Sequence, residues 1–269
     1  MERIPLPALF PARLPIIGML HAPPLPGAPG WGGAMEAVLE HVLRDAATLA
    51  AGGVDGLLLE NFGDVPFHAG TVAPETVAAL AVLLRELRRD VSLPIGVNVL
   101  RNDAAAALAL AAVTGARFIR VNVHTGAMLT DQGWITGHAD RTLRRRAMLR
   151  APVAIAADVL VKHAVAPAGL SAARAARDTW ERGRADVLIV SGAGTGEATP
   201  ADRLAEVRAA VPEAPLWIGS GLDAGSAAEL LAHADGAIVG SALQRDGRAG
   251  APVDGARVRR LMAEVSRLR

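Results

Sequence analysis

PIIGMLHAPPLPGAPG, residues 15–30, separates two architectures that the rest of the chain leaves open. Its first half, PIIGML, is a short apolar strand candidate. A doubly wound dinucleotide-binding sheet would follow such a strand with G-x-G-x-x-G, so that the backbone could approach a pyrophosphate. Here HAPPLPGAPG stands in that place, rich in proline and without the fingerprint. An open doubly wound sheet is therefore the second choice, and a closed barrel the first.

Seven further apolar runs extend the pattern: VDGLLLEN (54–61), PIGVNVL (94–100), RFIRVNV (117–123), PVAIAADV (152–159), DVLIVSG (186–192), PLWIGSG (215–221) and DGAIVGS (235–241). Stretches of helical character lie between them. MEAVLEHVLRDAATLAAGG ends in a Gly52-Gly53 stop, and PETVAALAVLLRELRRD has Pro74 at its start and basic residues in its last turn. TPADRLAEVRAAV reads as Thr199 at the N-cap with Pro200 at the first helical position. Strands that alternate with helices must pair in parallel through crossovers. The 269 residues match the ~250 of a (β/α)8 barrel. The expectation is one TIM-barrel domain over residues 1–269, with residues 1–14 as an N-terminal extension.

Composition narrows the function. Apolar residues make up 51% and charged residues 20%, enough for a large core, while aromatics are only 3%. A formal net charge of +1 argues against a nucleic-acid or anionic-membrane binder and leaves small anions open as ligands. The absence of Cys excludes disulfides, thiol nucleophiles and Cys-ligated metals. Prolines interrupt the opening segment, no signal-peptide run is apparent, and no stretch approaches the ~20 apolar residues of a membrane span. A cytoplasmic protein without membrane insertion is expected, with a homo-oligomer left open.

In a barrel of this kind the chemistry sits at the C-terminal ends of the strands. The first run ends at His21 and the second in Glu60-Asn61-Phe62-Gly63-Asp64. The third carries Asn98 and then Arg101-Asn102-Asp103. Arg120, Asn122 and His124 alternate along the fourth, sharing a face by the two-residue strand period. The same parity aligns Asp158 with Lys162 if the strand continues that far. The last three runs end in glycine and serine: Ser191, Gly192, Gly194, Thr195 and Gly196; then Gly219, Ser220 and Gly221; then Gly240 and Ser241. Such loops let backbone N–H groups reach an anion, and phosphate sites in barrels are often built after the seventh and eighth strands. Tight turns alone would explain one such loop, but they explain three in succession less well. Two longer loops, 21–33 and 124–138, each carry a tryptophan (Trp31, Trp134) suited to covering a ligand. The basic run RTLRRR (141–146) reads as a solvated helix face.

Lys and Arg together number 28, and a single one of them, Lys162, is lysine. An Arg-biased composition explains why lysine is rare but not why one stands in DVLVKHA (158–164). A desolvated Lys can lose its proton and form an imine with a carbonyl substrate, which Arg cannot do. Alternatively Lys162 stays charged and pairs with Asp158 or a substrate anion. Asp158 and Glu60 are general acid/base candidates or a Mg²⁺ ligand pair, and one of them could orient Lys162. Asn98 and Asn122 offer neutral donors to an enolate or carbonyl oxygen. Arg120 inside a strand needs a partner, with Glu60 or Asp158 available. His21, His124 and His163 are candidate proton carriers, although opposite parity to Lys162 places His163 outside the barrel. Arg101 and His21 join the glycine loops as candidate substrate-binding groups.

GMLHAPPLPG (18–27), LLLENFGDVPF (57–67), IGVNVLRNDA (95–104), IRVNVHTGAMLTDQG (119–133), DVLVKHA (158–164), LIVSGAGTG (188–196), IGSGL (218–222) and DGAIVGSAL (235–243) together resemble the BtpA family across nearly the whole chain. That resemblance implies a TIM barrel related to the phosphate-binding barrels. The family takes its name from a factor for photosystem I biogenesis in cyanobacteria, and other members resemble sugar-operon proteins. It carries over Glu60, Asn61, Asp64, Asn98, Arg101, Asn102, Asn122, Asp131, Asp158, Lys162 and His163 as motif residues. The family pattern DVHVKHA has His where this chain has Leu160, which by parity removes one polar group beside Asp158 and Lys162, and with it a metal held through position 160. His124 stands where an apolar residue is expected and could compensate. From the mouth residues, the function expected is that of an isomerase- or lyase-like enzyme, working through an enolate or imine on a small phosphorylated or anionic metabolite. The alternatives are a non-catalytic assembly factor and a metabolite-binding protein.

Overall fold

Each apolar run becomes a strand, and each crossover carries the chain across the outside, so neighbouring strands pair in parallel. A computed structural model describes residues 2–269. Its strands in chain order are β1 (Ile16–His21), β2 (Gly56–Glu60), β3 (Ile95–Asn98), β4 (Phe118–Val121), β5 (Ala127–Thr130), β6 (Gly133–Thr136), β7 (Ala154–Val159), β8 (Val187–Val190), β9 (Leu216–Ile218) and β10 (Gly236–Val239). Eight of them close a parallel barrel in the order β1-β10-β9-β8-β7-β4-β3-β2. The other two, β5 and β6, form a separate antiparallel hairpin.

The helices are α1 (Leu6–Leu9), α2 (Met35–Ala51), α3 (Pro74–Asp90), α4 (Ala104–Thr114), α5 (Ala139–Leu149), α6 (Ala172–Arg177), α7 (Ala201–Ala210), α8 (Ala227–Leu231) and α9 (Gly255–Leu268). Their apolar faces and the outward side chains of the strands form the larger core, including Leu57, Leu80, Ile119 and Val258. Asp103 caps α4 by accepting from the Ala106 N–H, and Gly115 ends it in the left-handed conformation that glycine tolerates. Thr199 differs from its expected role. Pro200 occupies the N-cap of α7, and the Thr199 hydroxyl instead donates to the Ser220 carbonyl at 2.8 Å, joining the loops after β8 and β9.

Inward side chains fill the lower barrel: Ile17, Leu58, Phe118, Ile189, Trp217 and Ile238. From the N-terminal segment, Leu9 and Phe10 plug this end. The rings of Phe10, Phe118 and Trp217 meet edge to face with centroids 5.7–5.8 Å apart. Glycine makes the room, since a Cβ at Gly96 would run into Phe118 and one at Gly56 into Phe10. The run at 141–146 also differs from expectation at one position. Arg146 is fully buried and pairs with Asp186, whose carboxylate also accepts the Ile4 and Ile155 N–H groups. Among the described residues no helix is long and apolar enough to cross a membrane.

Candidate active site

Parallel register places the last inward residue of each strand at one end of the barrel, where His21 pairs with Glu60, Glu60 with Asn98 and Asn98 with Arg120. Above them opens a cavity of about 490 Å³. One wall is apolar, with Phe62, Phe67 and Leu222; the other carries Glu60, Arg101, Arg120, Asn122, Asp131 and Lys162.

The floor is an ion pair. Asp158 takes two parallel hydrogen bonds from Arg120, Nε to Oδ2 and Nη2 to Oδ1, each 2.9 Å. Both side chains are sealed from solvent, and the Asn122 amide adds a third contact to Oδ2 at 3.2 Å. Bidentate geometry and full burial make this a structural tie. Asp158 thus has no free oxygen for proton transfer. A Mg²⁺ at Glu60 and Asp158 would have to displace Arg120, and no cluster of three or more metal-ligating groups exists among the described residues.

Lys162 reaches the cavity by a different route from the strand extension expected. β7 ends at Val159, and Leu160 and His163 both take left-handed backbone conformations, φ 55° and 54°. These turns bring Lys162 over the mouth and rotate Leu160 away, so Leu160 packs with Val123, Met128 and Ile135 beneath the hairpin. It removes no polar group from beside Asp158. The half-buried Lys162 ammonium is pushed down from its usual 10.5 to about 8, first by burial and then by the neighbouring Arg120 charge, with Glu60 and Asp158 opposing.

Glu60 accepts from the Asn98 amide at 2.6 Å through Oε2, leaving Oε1 4.0 Å from His21 Nε2. His21 stacks on Phe62 and accepts at Nδ1 from the Gly250 N–H and the Gln244 amide. Two donors on Nδ1 place the ring proton on Nε2, towards Glu60. Burial lowers the His21 pKa, so the ring is neutral. Asn98 touches Glu60 and does not line the cavity. Sequence reasoning did not single out Gln244, which lies well beyond the strand-end residues of the eighth run.

His124 and His163 exchange their expected places. His124 leaves the face of Arg120 and Asn122 because β4 ends at Val121; it is buried outside the mouth, with Nε2 on the Gly183 carbonyl at 2.8 Å. His163 instead lines the cavity and accepts the Thr195 N–H at 3.1 Å. Of the glycine-rich candidates, Thr195, Gly196, Gly219, Ser220, Gly221, Gly240 and Ser241 line the cavity, whereas Ser191, Gly192 and Gly194 lie behind it. Gly192 donates its N–H to the Ser220 hydroxyl, and Ser191 reaches Asp158 at 3.4 Å.

Asn61, Asp64 and Asn102 brace loops: Asn61 accepts the Leu100 N–H, Asp64 the Leu25 N–H, and Asn102 makes both backbone hydrogen bonds to Val123. The hairpin sends Asp131 into the cavity lining, but neither tryptophan covers it. Trp134 is 60% exposed, and Trp31 packs on the outer core.

The family model for the BtpA family matches residues 12–267. The chain is 46% identical to the photosystem I biogenesis protein BtpA of Synechocystis, covering 93% of this chain and 87% of that one. It is 45% identical to an uncharacterized protein of Thermococcus kodakarensis, over 96% and 97% of the two chains. A mitochondrial uncharacterized protein of Caenorhabditis elegans is 34% identical over 100% and 99%. Among solved structures, the native KDPGal structure matches with a TM-score of 0.60 at 12% identity, covering 95% of this chain and 96% of that one. Phosphoribosyl anthranilate isomerase from Thermus thermophilus matches at 0.56 and 14%, covering 95% and 100%. At such identities the structures speak for the barrel alone. The match along almost the full sequence makes this chain a member of the BtpA family.

Proposed function

We propose that the barrel mouth is an enzyme active site in which Lys162 forms an imine with the carbonyl of a small phosphorylated or carboxylated metabolite, in isomerase- or lyase-type chemistry. The observation that carries this reading is the amine itself: the one lysine of the chain lines the mouth cavity, where burial pushes it down to about 8. At neutral pH a usable fraction is therefore unprotonated. Glu60 is the proton-transfer partner, oriented by Asn98 and faced by the neutral His21. Asn122 stands beside Lys162 as an oxygen-binding group. The cavity-lining loops Gly219–Gly221 and Gly240–Ala242 supply an anion cradle on the glycine-rich side. The solvent-sealed Arg120–Asp158 pair acts indirectly, holding a positive charge near the amine that disfavours its protonation.

Borohydride reduction in the presence of a panel of carbonyl metabolites tests this directly. An adduct confined to Lys162, and absent from Lys162→Arg, is expected. No adduct across the panel would overturn the imine reading. A second reading, an assembly factor without turnover, is favoured by the 46% identity to the photosystem I biogenesis protein. It gains if Lys162→Arg retains the cellular role while losing every adduct.

A further inference from the structure

Two polar side chains in the mouth are more than nine-tenths buried and incompletely paired. Arg101 is 5% exposed and Asn122 3%, and both line the cavity. Arg101 donates through Nη2 to the Lys162 carbonyl at 2.7 Å, but its buried Nε has no partner. The carboxylates around it are engaged with other donors: Asp158 is bidentate on Arg120, Glu60 holds the Asn98 amide, and Asp131 accepts from the Gln132 amide. Asn122 gives its amide to Asp158, and its buried Oδ1 accepts nothing. A buried guanidinium N–H without an acceptor and a buried carbonyl oxygen without a donor are both costly. Each is relieved by a ligand carrying the missing complement: an anion for Arg101 and a hydroxyl for Asn122.

Topology places these demands relative to the rest of the mouth. Arg101 follows β3, and Gly219–Gly221 follow β9; in the closed strand order these staves are four apart, on opposite sides of the barrel. Arg101 also touches the main chain of Lys162, so an anion on Arg101 lies next to whatever carbonyl the amine attacks. We infer that the substrate is a hydroxylated 2-oxo acid, with its carboxylate on Arg101, its ketone at Lys162, a hydroxyl on Asn122 Oδ1 and a second anionic group at the glycine-rich loops opposite. This rests on the imine reading above and narrows its substrate class.

The step balances without a further reactant. The neutral Lys162 amine forms a C–N bond to the ketone carbon while the C=O π pair moves to oxygen. That oxygen takes one proton from the attacking nitrogen and one from solvent relayed by Glu60, and departs as water, giving the iminium. Borohydride then delivers hydride, and the protein gains the ligand less one oxygen atom.

The test compares pyruvate, the simplest 2-oxo acid, with dihydroxyacetone phosphate, a phosphorylated ketone lacking the carboxylate, by borohydride trapping and intact-mass readout. Both are expected to label wild-type Lys162. In Arg101→Gln the efficiency of pyruvate labelling is expected to fall at least about tenfold relative to dihydroxyacetone phosphate, the loss of a charge-assisted contact. Using the ratio cancels any change in the Lys162 pKa, which acts on both probes. Arg101→Lys, which keeps the charge, should restore part of the ratio. Labelling by dihydroxyacetone phosphate but not pyruvate would overturn the 2-oxo acid while leaving the imine reading standing. An unchanged ratio in a folded Arg101→Gln would remove Arg101 as the carboxylate holder. No labelling by either probe, with none across the wider carbonyl panel, would overturn both readings.

Discussion

At the scale of single residues, Asp158 and Lys162 divide the work that their sequence spacing seemed to share. Asp158 is spent on Arg120, so Asp158→Asn should behave as a broken buried ion pair. It is expected to lose about 3–5 kcal/mol in urea denaturation, with the pH profile of any remaining turnover unmoved. Lys162 contributes in the opposite sense. Its folded pKa of about 8 lies below its unfolded value of 10.5, so the unfolded chain binds the extra proton between those limits. The native state therefore carries a cost that is fully present below pH 8 and is relieved as pH rises towards 10.5. Discounted for the exposure that remains, Lys162→Met should stabilise the fold by about 1–3 kcal/mol at neutral pH while abolishing imine formation. Equal or lower stability in the variant would show that the amine is well paired. The sequence marked Lys162 as exceptional but gave the wrong reason for its position. Strand parity does not survive Leu160, whose positive φ is uncommon for a non-glycine residue. The same limit exchanged His124 and His163, because a parity rule holds only while the strand lasts.

At the scale of elements, the eight barrel strands were legible because their apolar runs are buried and their helices carry ordinary starts and stops. The hairpin was not. AMLT and GWIT flank Asp131-Gln132 without the Asn-Gly or Asp-Gly signal of a tight turn, and the stretch reads as a mixed loop. Its purpose becomes visible only in three dimensions, where Leu129 pairs with Val165 through two backbone hydrogen bonds and ties the lysine loop to the hairpin. The polar anchors Asn61 and Asn102 were equally hidden, since their partners are backbone groups of other loops. Packing inside the barrel gives a sharper test. Gly96→Ala places a methyl group against the Phe118 ring, and chemical denaturation should register a loss of about 1–3 kcal/mol. Wild-type stability would mean that Phe118 can leave its position between Phe10 and Trp217.

At the scale of the whole molecule, the two ends of the barrel are built for different tasks. One end is plugged by Phe10 against Phe118 and Trp217, and the other opens the cavity onto which Arg101 and Asn122 bring unpartnered polar atoms. Phe10→Ala should cost about 3–5 kcal/mol in thermal or chemical unfolding without changing ligand affinity at the mouth, some distance away along the strands. A matched loss of ligand binding would show that the ends are coupled. Composition offers the cleanest probe of the mouth itself. Because the protein holds a single lysine, ¹³C labelling of lysine side chains yields one Cε resonance, and its pH titration reads Lys162 without assignment. A midpoint near 8 is expected, rising in Glu60-intact protein only when a ligand anion fills the mouth. A midpoint at the ordinary 10.5 would contradict an amine poised to attack a carbonyl, and with it the catalytic reading of this barrel.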